Sequence, residues 1–349
     1  MKATILFGGS SFEHEISIVS AITLKERLKD WELTFLFLDK DRNFYLIDPQ
    51  NLKSSHFSSG SYRKGKRAEI GRGGFYLTGF LGGRKRIEGG VVINLIHGRD
   101  GEDGKIPGML QFYRIPTVTP SVEGCAVSYN KVLTKYYARG VGVEVVEFVE
   151  LELDHLSTPP RLPFSFPVIV KPARLGSSLG VSVARSEEEL QYGLDSAREF
   201  DSTAVVEPFL EGVEEYNLAG CRIGEEWHFS RVEKVQKGEF LDYNQKYLDF
   251  GRKEVELPPV EPELEEKLKG AFKKIYGHTF QNALIRCDFF RHGDRIYLNE
   301  INPIPGSLAH YLFDDFEEVL ERLAKSVELE REIEIDYRYI HQIQRAKGK

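Results

Sequence analysis

The stretch CDFFRHGDRIYLNEINPIPG, residues 287–306, reads as a β-hairpin that sets Asp288, Glu300 and Asn302 among apolar neighbours. A three-residue turn at His292, Gly293 and Asp294 makes Arg291 face Arg295. Asp288 then lies opposite Leu298, one diagonal step from Glu300. Same-face diagonal neighbours are ~7–8 Å apart, a span over which metal ions bridge carboxylates. Glu300 and Asn302 share that face by the period of two, with Arg286 beside them. Ile285, Cys287, Phe289, Tyr297 and Ile301 then form the opposite, core-facing side. An all-oxygen set with few ligands suits Mg²⁺, which keeps waters and binds alongside phosphates. The inference depends on register, because a two-residue turn moves Asp288 to the other face. A plain solvated hairpin face is the alternative.

A phosphate site is the natural complement, and KPARLGSSLGVS offers one. Lys171 ends a strand and is followed by a loop with Gly176, Ser177, Ser178 and Gly180. Glycines let backbone N–H groups approach phosphate oxygens, and lysine supplies a point charge. No GxxxxGK[ST] occurs, so this is a cradle between two strands rather than a Walker loop, and an ordinary turn is the competing reading. FGGSSFEHEIS, near the N-terminus, is a weaker signal. GxGxxG is absent, so a dinucleotide fold is unsupported. Gly8 and Gly9 fit a tight strand-to-helix turn, and Glu13 and Glu15, on either side of His14, fit acids placed at a helix start. His97, in NLIHGRDGEDG, ends a strand, where open parallel sheets place their ligands, although an isolated histidine is more often structural.

These residues need elements to hold them. KATILFGGS is a short apolar strand, Ile18, Val19, Ile22 and Leu28 recur at helical spacing, and ELTFLFLD is the next strand. That β-α-β order predicts a parallel sheet. VVINLIHG (91–98), a helix in GKIPGMLQFY and IPTVTPS complete a first unit, ending near residue 120. A helix around AVSYNKVLTKYYARG, a strand EVVEFVEL and the proline-rich connector STPPRLPFSFP follow. VIVKPARLGSSLGVSVA is strand, loop, strand, and Ser186 opens a helix with the capping-box pattern. TAVVEPFL is a buried strand, and EYNLAGCRIG and WHFSRVEKVQ read as antiparallel partners. Residues 236–252 form a long loop with few structural signals, a length usual for lids. The units expected are 1–120, 121–210 and 211–349.

The chain has 349 residues and a net charge of −7, a balance that gives no support to nucleic-acid or acidic-membrane binding. The basic run YRKGKR reads as a solvated loop face, and the basic tail YRYIHQIQRAKGK as solvated. Cys125, Cys221 and Cys287 are widely spaced and form no CxxC pair, so neither a disulfide framework nor a zinc site is indicated. No apolar run of membrane-spanning length and no signal peptide is read, and a cytoplasmic location is expected.

Five separated motifs, taken in order, resemble the D-alanine–D-alanine ligase family of the ATP-grasp superfamily: FGGSSFEHEISIVSA, NLIHGRDGEDGKIPGML, VIVKPARLGSSLGVS, DYNQKY and RCDFF…NEINPIPGS. The resemblance runs from about residue 4 to residue 312. It implies an α/β, three-domain ATP-grasp architecture with ATP between the central and C-terminal domains. It implies joining of two D-alanines through an acyl phosphate, with ADP and phosphate released, for peptidoglycan precursors. Asp288, Glu300 and Asn302 resemble the ligands of two Mg²⁺ ions, for which Mn²⁺ can substitute. Lys131 and Lys171 resemble phosphate-binding lysines, with Ser177 and Ser178 in the same loop. Glu207 resembles the reader of the adenine amino group, Phe209 and Leu210 the hinge, and Glu214 the ribose acceptor.

For the amino-acid substrates, Glu13 resembles the anchor of the first D-alanine's ammonium, with His97 close to it. Arg286 and the Gly306 N–H resemble an oxyanion hole, and Glu13, Ser177 and Tyr247 a hydrogen-bond network that positions loop and lid. The 236–252 segment resembles the family's ω-loop, with Lys246 on phosphate. Tyr247 stands where D-lactate-using relatives tend to have phenylalanine, which favours an amine as second nucleophile. Leu241 replaces an expected tyrosine, and Tyr311, beside Leu312 in GSLAHYL, replaces a serine for the second substrate's carboxylate. Weak binding of the second D-alanine is the consequence expected. The resemblance also implies a homodimer.

Overall fold

The computed structural model describes residues 1–79, 82–235 and 258–347. Three sheets organise the described residues. The first has eight strands: β1 (Lys2–Gly8), β2 (Glu32–Leu38), β3 (Phe44–Ile47), β4 (Lys66–Gly71), β5 (Gly74–Thr78), β6 (Arg84–Arg86), β7 (Val91–Asn94) and β8 (Thr117–Val118), in the order β6-β5-β4-β3-β2-β1-β7-β8. Only β2, β1, β7 and β8 run parallel, and β3 to β6 are added antiparallel. The expected parallel sheet is therefore half of a mixed one. The added strands are short and carry charged residues such as Lys66, Arg67 and Glu69, so their alternation is faint. The YRKGKR run is solvated at most positions, yet its end enters β4.

Both faces of the parallel half are covered, which is why β1 reads as a nearly unbroken apolar run. Ala3, Ile5 and Phe7 pack with helix His14–Arg27 through Ile18, Ala21 and Leu24. Leu6, Leu36 and Val92 face helix Lys105–Phe112 through Ile106 and Leu110. Strand β7 stops at Asn94, earlier than expected, because the Asn94 side chain turns back to accept from the Ile96 N–H (3.1 Å).

The helix expected around residues 126–140 is two helices, Val122–Tyr129 and Lys131–Gly140. Asn130 breaks them: it is extended, and its side chain caps the second by accepting from the Val132 N–H (2.9 Å).

The second sheet is β11-β10-β12-β9, from β9 (Val149–Glu152), β10 (Val168–Pro172), β11 (Ser182–Ala184) and β12 (Thr203–Pro208), all antiparallel. Helix Glu187–Arg198 covers it, opened by Ser186, whose hydroxyl accepts from the Glu189 N–H (3.2 Å). Glu189 reaches back to the Arg185 N–H (2.7 Å), one residue before the position a capping box uses.

The third sheet holds β13 (Glu214–Ile223), β14 (Glu226–Phe229), β15 (Glu233–Lys234), β16 (Ile285–His292) and β17 (Arg295–Asn302). Its order is β14-β13-β16-β17, with β15 also on β13. Helices Pro262–Tyr276 and Phe316–Lys325 complete its core, which is continuous with one face of the first sheet.

The β16–β17 register corrects one expectation. His292 pairs with Arg295, so the turn is the two residues Gly293 and Asp294. That shift alone puts Asp288 on the wrong face. A bulge at Asn299 restores it: Phe289 pairs with Leu298, while Asp288 pairs directly with Glu300. Leu298, not Tyr297, joins Ile285, Cys287, Phe289 and Ile301 in the core.

Candidate active site

Glu13 begins helix His14–Arg27 but does not cap it with its side chain. Its carboxylate instead accepts from Ser177 Oγ (2.7 Å), reaching from the turn after β1 to the β10–β11 loop 164 residues away. Glycines allow this approach. A Cβ on Gly176 would lie 2.8 Å from Glu13 Oε1, and one on Gly98 2.6 Å from Oε2. Ser177 and Ser178 both hold left-handed backbone, with φ of 58° and 59°. Burial, with Glu102 nearby, pushes the Glu13 carboxyl above its ordinary range, while Ser177, His97 and Lys131 pull it back. The turn around Glu13 lines a cavity of about 340 Å³ together with Arg99, Tyr129, Arg174 and Leu175.

His97 is buried behind Glu13, its Nε2 3.0 Å from Ser20 Oγ and its Nδ1 3.6 Å from Glu102. Burial holds the imidazole below its usual range. Ser20 Oγ also accepts from the Ser307 N–H (2.9 Å), tying the histidine to the turn Gly306–Leu312. In that turn Ser307, Leu308 and Ala309 are all left-handed, with φ of 47°, 53° and 51°. Such backbone costs roughly 1–2 kcal/mol per non-glycine residue. A Cβ on Gly306 would meet nothing within 4 Å, so packing does not demand a glycine there. Leu312 turns its side chain fully into the core, and its carbonyl accepts from the Arg231 N–H (2.9 Å). Any substrate contact there falls to its backbone.

On the hairpin face, Arg286 grips Asp288 with two bonds, Nε to Oδ1 (2.7 Å) and Nη2 to Oδ2 (2.9 Å). Asn302 Nδ2 donates to the same Oδ2 (3.0 Å). Asp288 is buried, and Glu300 lies directly across the ladder from it. Desolvation lowers the Arg286 guanidinium, but Asp288 more than offsets it and keeps it charged. The three oxygen-bearing side chains on one face are the hard donors that Mg²⁺ prefers, so the residues present fit that ion. The set stands on the face predicted, by a different turn.

Two lysines serve the glycine-rich loop. Lys131 Nζ donates to the Leu175 carbonyl, and burial and Lys171 lower it while Glu300 raises it. Lys171 Nζ donates to Glu207 Oε2 (3.1 Å) and to Asn299 Oδ1 (3.2 Å). The bulged residue of β17 thus meets the lysine of β10.

Glu207 is buried and pairs also with Lys135 Nζ (2.8 Å). Burial pushes its carboxyl up, but Lys135 and then Lys171 overcome this and hold it at about 2. Phe209 donates its N–H to the Pro167 carbonyl (2.9 Å) at the end of β12, with Leu210 half-buried beside it. Glu214 accepts from Lys234 and from Tyr216 Oη, and Lys234 holds its carboxyl below the ordinary range. Tyr311 Oη donates to Glu233 (3.0 Å), which also accepts from Asn217 (2.9 Å). Arg286 is near enough to act on that phenol. Leu241, Lys246, Tyr247 and the 236–252 loop lie outside the described residues.

Three polar residues escaped sequence reasoning. Lys135 stands four residues after Lys131, one helical turn on, and that spacing was its only signal. Glu102, in the quoted GRDGED run, is pushed up to about 8 by burial, with Glu300 adding repulsion. Asn299 gave no sign, because a bulge is a tertiary event.

A glycine-rich loop between antiparallel strands, facing an acid-bearing hairpin on a second antiparallel sheet, defines the ATP-grasp class. The comparisons narrow this. The D-ala D-ala ligase N-terminus model matches residues 2–120 and the D-ala D-ala ligase C-terminus model residues 138–318. The chain belongs to the D-alanine–D-alanine ligase family. It is 52% identical to the D-alanine–D-alanine ligase of Sulfurovum sp. and 51% to that of Wolinella succinogenes, over all of both chains in each case. The crystal structure of the D-alanine–D-alanine ligase from Helicobacter pylori superposes with a TM-score of 0.82 at 49% identity, covering 94% of this chain and 100% of that one.

Proposed function

We propose that this chain joins two D-alanines into D-alanyl-D-alanine at the expense of ATP, in the cytoplasm and as a homodimer, for peptidoglycan precursor synthesis. Family membership supports the reaction class. The observation that carries the reading is the meeting of Glu13 with Ser177 inside a cradle of Gly98 and Gly176, opposite the Arg286–Asp288 hairpin. A carboxylate is a poor electrophile, so its activation needs a leaving group, and phosphorylation by ATP provides one.

In this reading Glu13 holds the ammonium of the first D-alanine, with His97 behind it. Lys131 and Lys171 take the ATP phosphates, and Ser177 and Ser178 present the loop. Glu207, Phe209 and Leu210 meet the adenine, and Glu214 the ribose. Lys171 already spans Glu207 and Asn299, so it stands between the adenine end and the metal face.

Asp288, Glu300 and Asn302 would hold two Mg²⁺ ions, which when bound neutralise phosphate charge so that one anion can approach another. Arg286 and the Gly306 N–H stabilise the oxyanion that forms when the second D-alanine's amine adds to the acyl phosphate. Tyr311 meets the second D-alanine's carboxylate.

The test is phosphate release from Mg-ATP with D-alanine alone and with D-alanine plus D-lactate at neutral pH. Release with D-alanine alone, together with the dipeptide as product, is expected. Preference for the depsipeptide would move the chain to the D-lactate branch. ATP binding without turnover would leave a non-catalytic nucleotide module.

A further inference from the structure

Glu102 lies on the loop that follows β7, five residues after His97. Gly101 lets this loop fold back on the strand end: a Cβ there would lie 1.7 Å from the Ile96 carbonyl oxygen, so no other residue fits. The Glu102 N–H donates to the Gly98 carbonyl (2.8 Å) and closes the turn. Inside the turn, buried Asp100 takes two bonds from Arg42 (3.1 and 2.9 Å) and accepts from the Ser10 N–H (3.2 Å). Loops are usually more mobile than the elements they join. This one is fastened, and the fastening brings the Glu102 carboxyl to 3.6 Å from His97 Nδ1.

An acid is an unfavourable filling for that position. Only 17% of its side chain is exposed, and burial works against its charge. Glu13 and Glu300 both lie close enough to repel it. A side chain needed only to fill the space would be apolar, so the carboxyl is there for what it faces.

It faces one end of a relay. His97 is 4% exposed, so its ring nitrogens depend on partners within the protein. Nδ1 is turned to Glu102, and Nε2 lies 3.0 Å from Ser20 Oγ. The partner of one ring nitrogen decides which of the two carries the hydrogen. Ser20 Oγ in turn accepts from the Ser307 N–H (2.9 Å). That amide belongs to the peptide plane joining Gly306 to Ser307, the first of the three left-handed residues. The Ile304 backbone, on the approach to the same turn, adds a second contact to the ring. Segments near residues 20, 100 and 307 are thus linked in series, from behind Glu13 to the turn that carries the Gly306 N–H.

We propose that Glu102 is a positioning residue: it fixes the imidazole of His97 and, through Ser20, the turn that presents the Gly306 N–H. This deepens the ligase reading and rests on it for the roles of His97 and Gly306. Glu102 acts through the histidine and is not itself a catalytic group. A carboxyl, a ring and a hydroxyl in series make the first-substrate anchor and the oxyanion turn answer to one another, although they come from opposite ends of the chain.

The test is a double-mutant cycle read by steady-state kinetics, with imidazole ¹⁵N spectra beside it. Glu102→Ala is expected to lower kcat about 10–100-fold, by analogy with the outer partners of metal-bound histidines, and to leave the KM for ATP unchanged. Glu102→Gln keeps a polar group facing Nδ1 and is expected to recover most of that rate; it also serves where the alanine variant folds poorly. Ser20→Ala breaks the next link. Links in series make Glu102→Ala/Ser20→Ala no slower than the slower single variant, within about 3-fold. In the spectra, His97 is expected to hold one tautomer in the parent and to average between two in Glu102→Ala. Losses that multiply in the double variant overturn the proposal. So does a His97 spectrum indifferent to Glu102→Ala, and so does a lowered melting temperature with rate and spectrum unchanged, which marks a purely structural acid. The spectra need no turnover, so a parent inactive with D-alanine defeats the ligase reading and leaves the His97 measurement standing.

Discussion

Lys135→Met tests the buried charge cluster that joins the central sheet to the proposed nucleotide side of the site. Glu207 is out of water and is held by Lys135 at 2.8 Å and Lys171 at 3.1 Å. Burial works against its charge, yet the two ammoniums bring its carboxyl from 4.5 to about 2. Burial lowers Lys135 itself, so the pair contributes less to folding than the shift of Glu207 alone would give. The sign follows from the depressed value. The contribution is complete above pH 4.5 and is lost as pH falls toward 2.

Methionine matches the volume of the lysine stem but leaves Glu207 with one cation, and breaking a buried pair costs about 3–5 kcal/mol. Urea unfolding followed by circular dichroism at pH 7 is therefore expected to show a loss of about 3 kcal/mol, with a shallower acid slope than the parent. Lys171, now the sole counter-charge, is held more firmly by Glu207, and the KM for ATP rises. Lys135→Met/Glu207→Leu, which removes both charges, is expected to recover part of the stability. The reasoning is refuted if the single variant unfolds within about 1 kcal/mol of the parent and keeps the parent's pH slope between 2 and 4.5.

If Arg286 is the oxyanion donor proposed, Arg286→Lys is expected to lower kcat by ~10²–10³, while Arg286→Met in addition destabilises the protein by stranding buried Asp288. Steady-state rates and melting curves separate the two effects. Gly176→Ala places a methyl 2.8 Å from Glu13 Oε1 and should raise the KM for the first D-alanine at least ~10-fold with little change in stability. At Gly306, alanine meets open space and keeps the N–H, so activity should stay near parental, whereas Gly306→Pro removes the donor and should abolish turnover. Tyr311→Ser frees Glu233 from its phenol partner and, with Leu241→Tyr or alone, should lower the KM for the second D-alanine; an unchanged KM counts against Tyr311 at that subsite.

What could be read from the sequence was what a short motif carries within itself. The glycine loop, the NEIN strand and the stretch after the GGSS turn each hold their candidate residues within a few positions. What could not be read needed a partner from another sheet. The hairpin face came out right although the turn did not, because the bulge at Asn299 adds back the residue that the shorter turn removes. Asn299 is fixed there by Lys171, which sits on a different sheet. Lys135 looked like an ordinary helix lysine until Glu207, from a strand 72 residues on, supplied its counter-charge. The antiparallel strands β3 to β6 were missed for a different reason: they extend the sheet away from the site, and their polar faces weaken the period-two signal.

The left-handed turn at Ser307, Leu308 and Ala309 has a consequence for how the enzyme comes into being. Its strain is held by the Ser20 hydroxyl, 287 residues earlier, and by the burial of Leu308 and Ala309 in a core shared by both ends of the chain. A growing polypeptide cannot assemble this site piecemeal, because Glu13 leaves the ribosome long before Ser177 and far before Arg286 or the turn itself. The glutamate waits through most of translation without the serine that will bind it. Only when the last strands of the third sheet are out can the turn be locked. Competence therefore arrives near the end of synthesis, and no shorter nascent form holds the complete site.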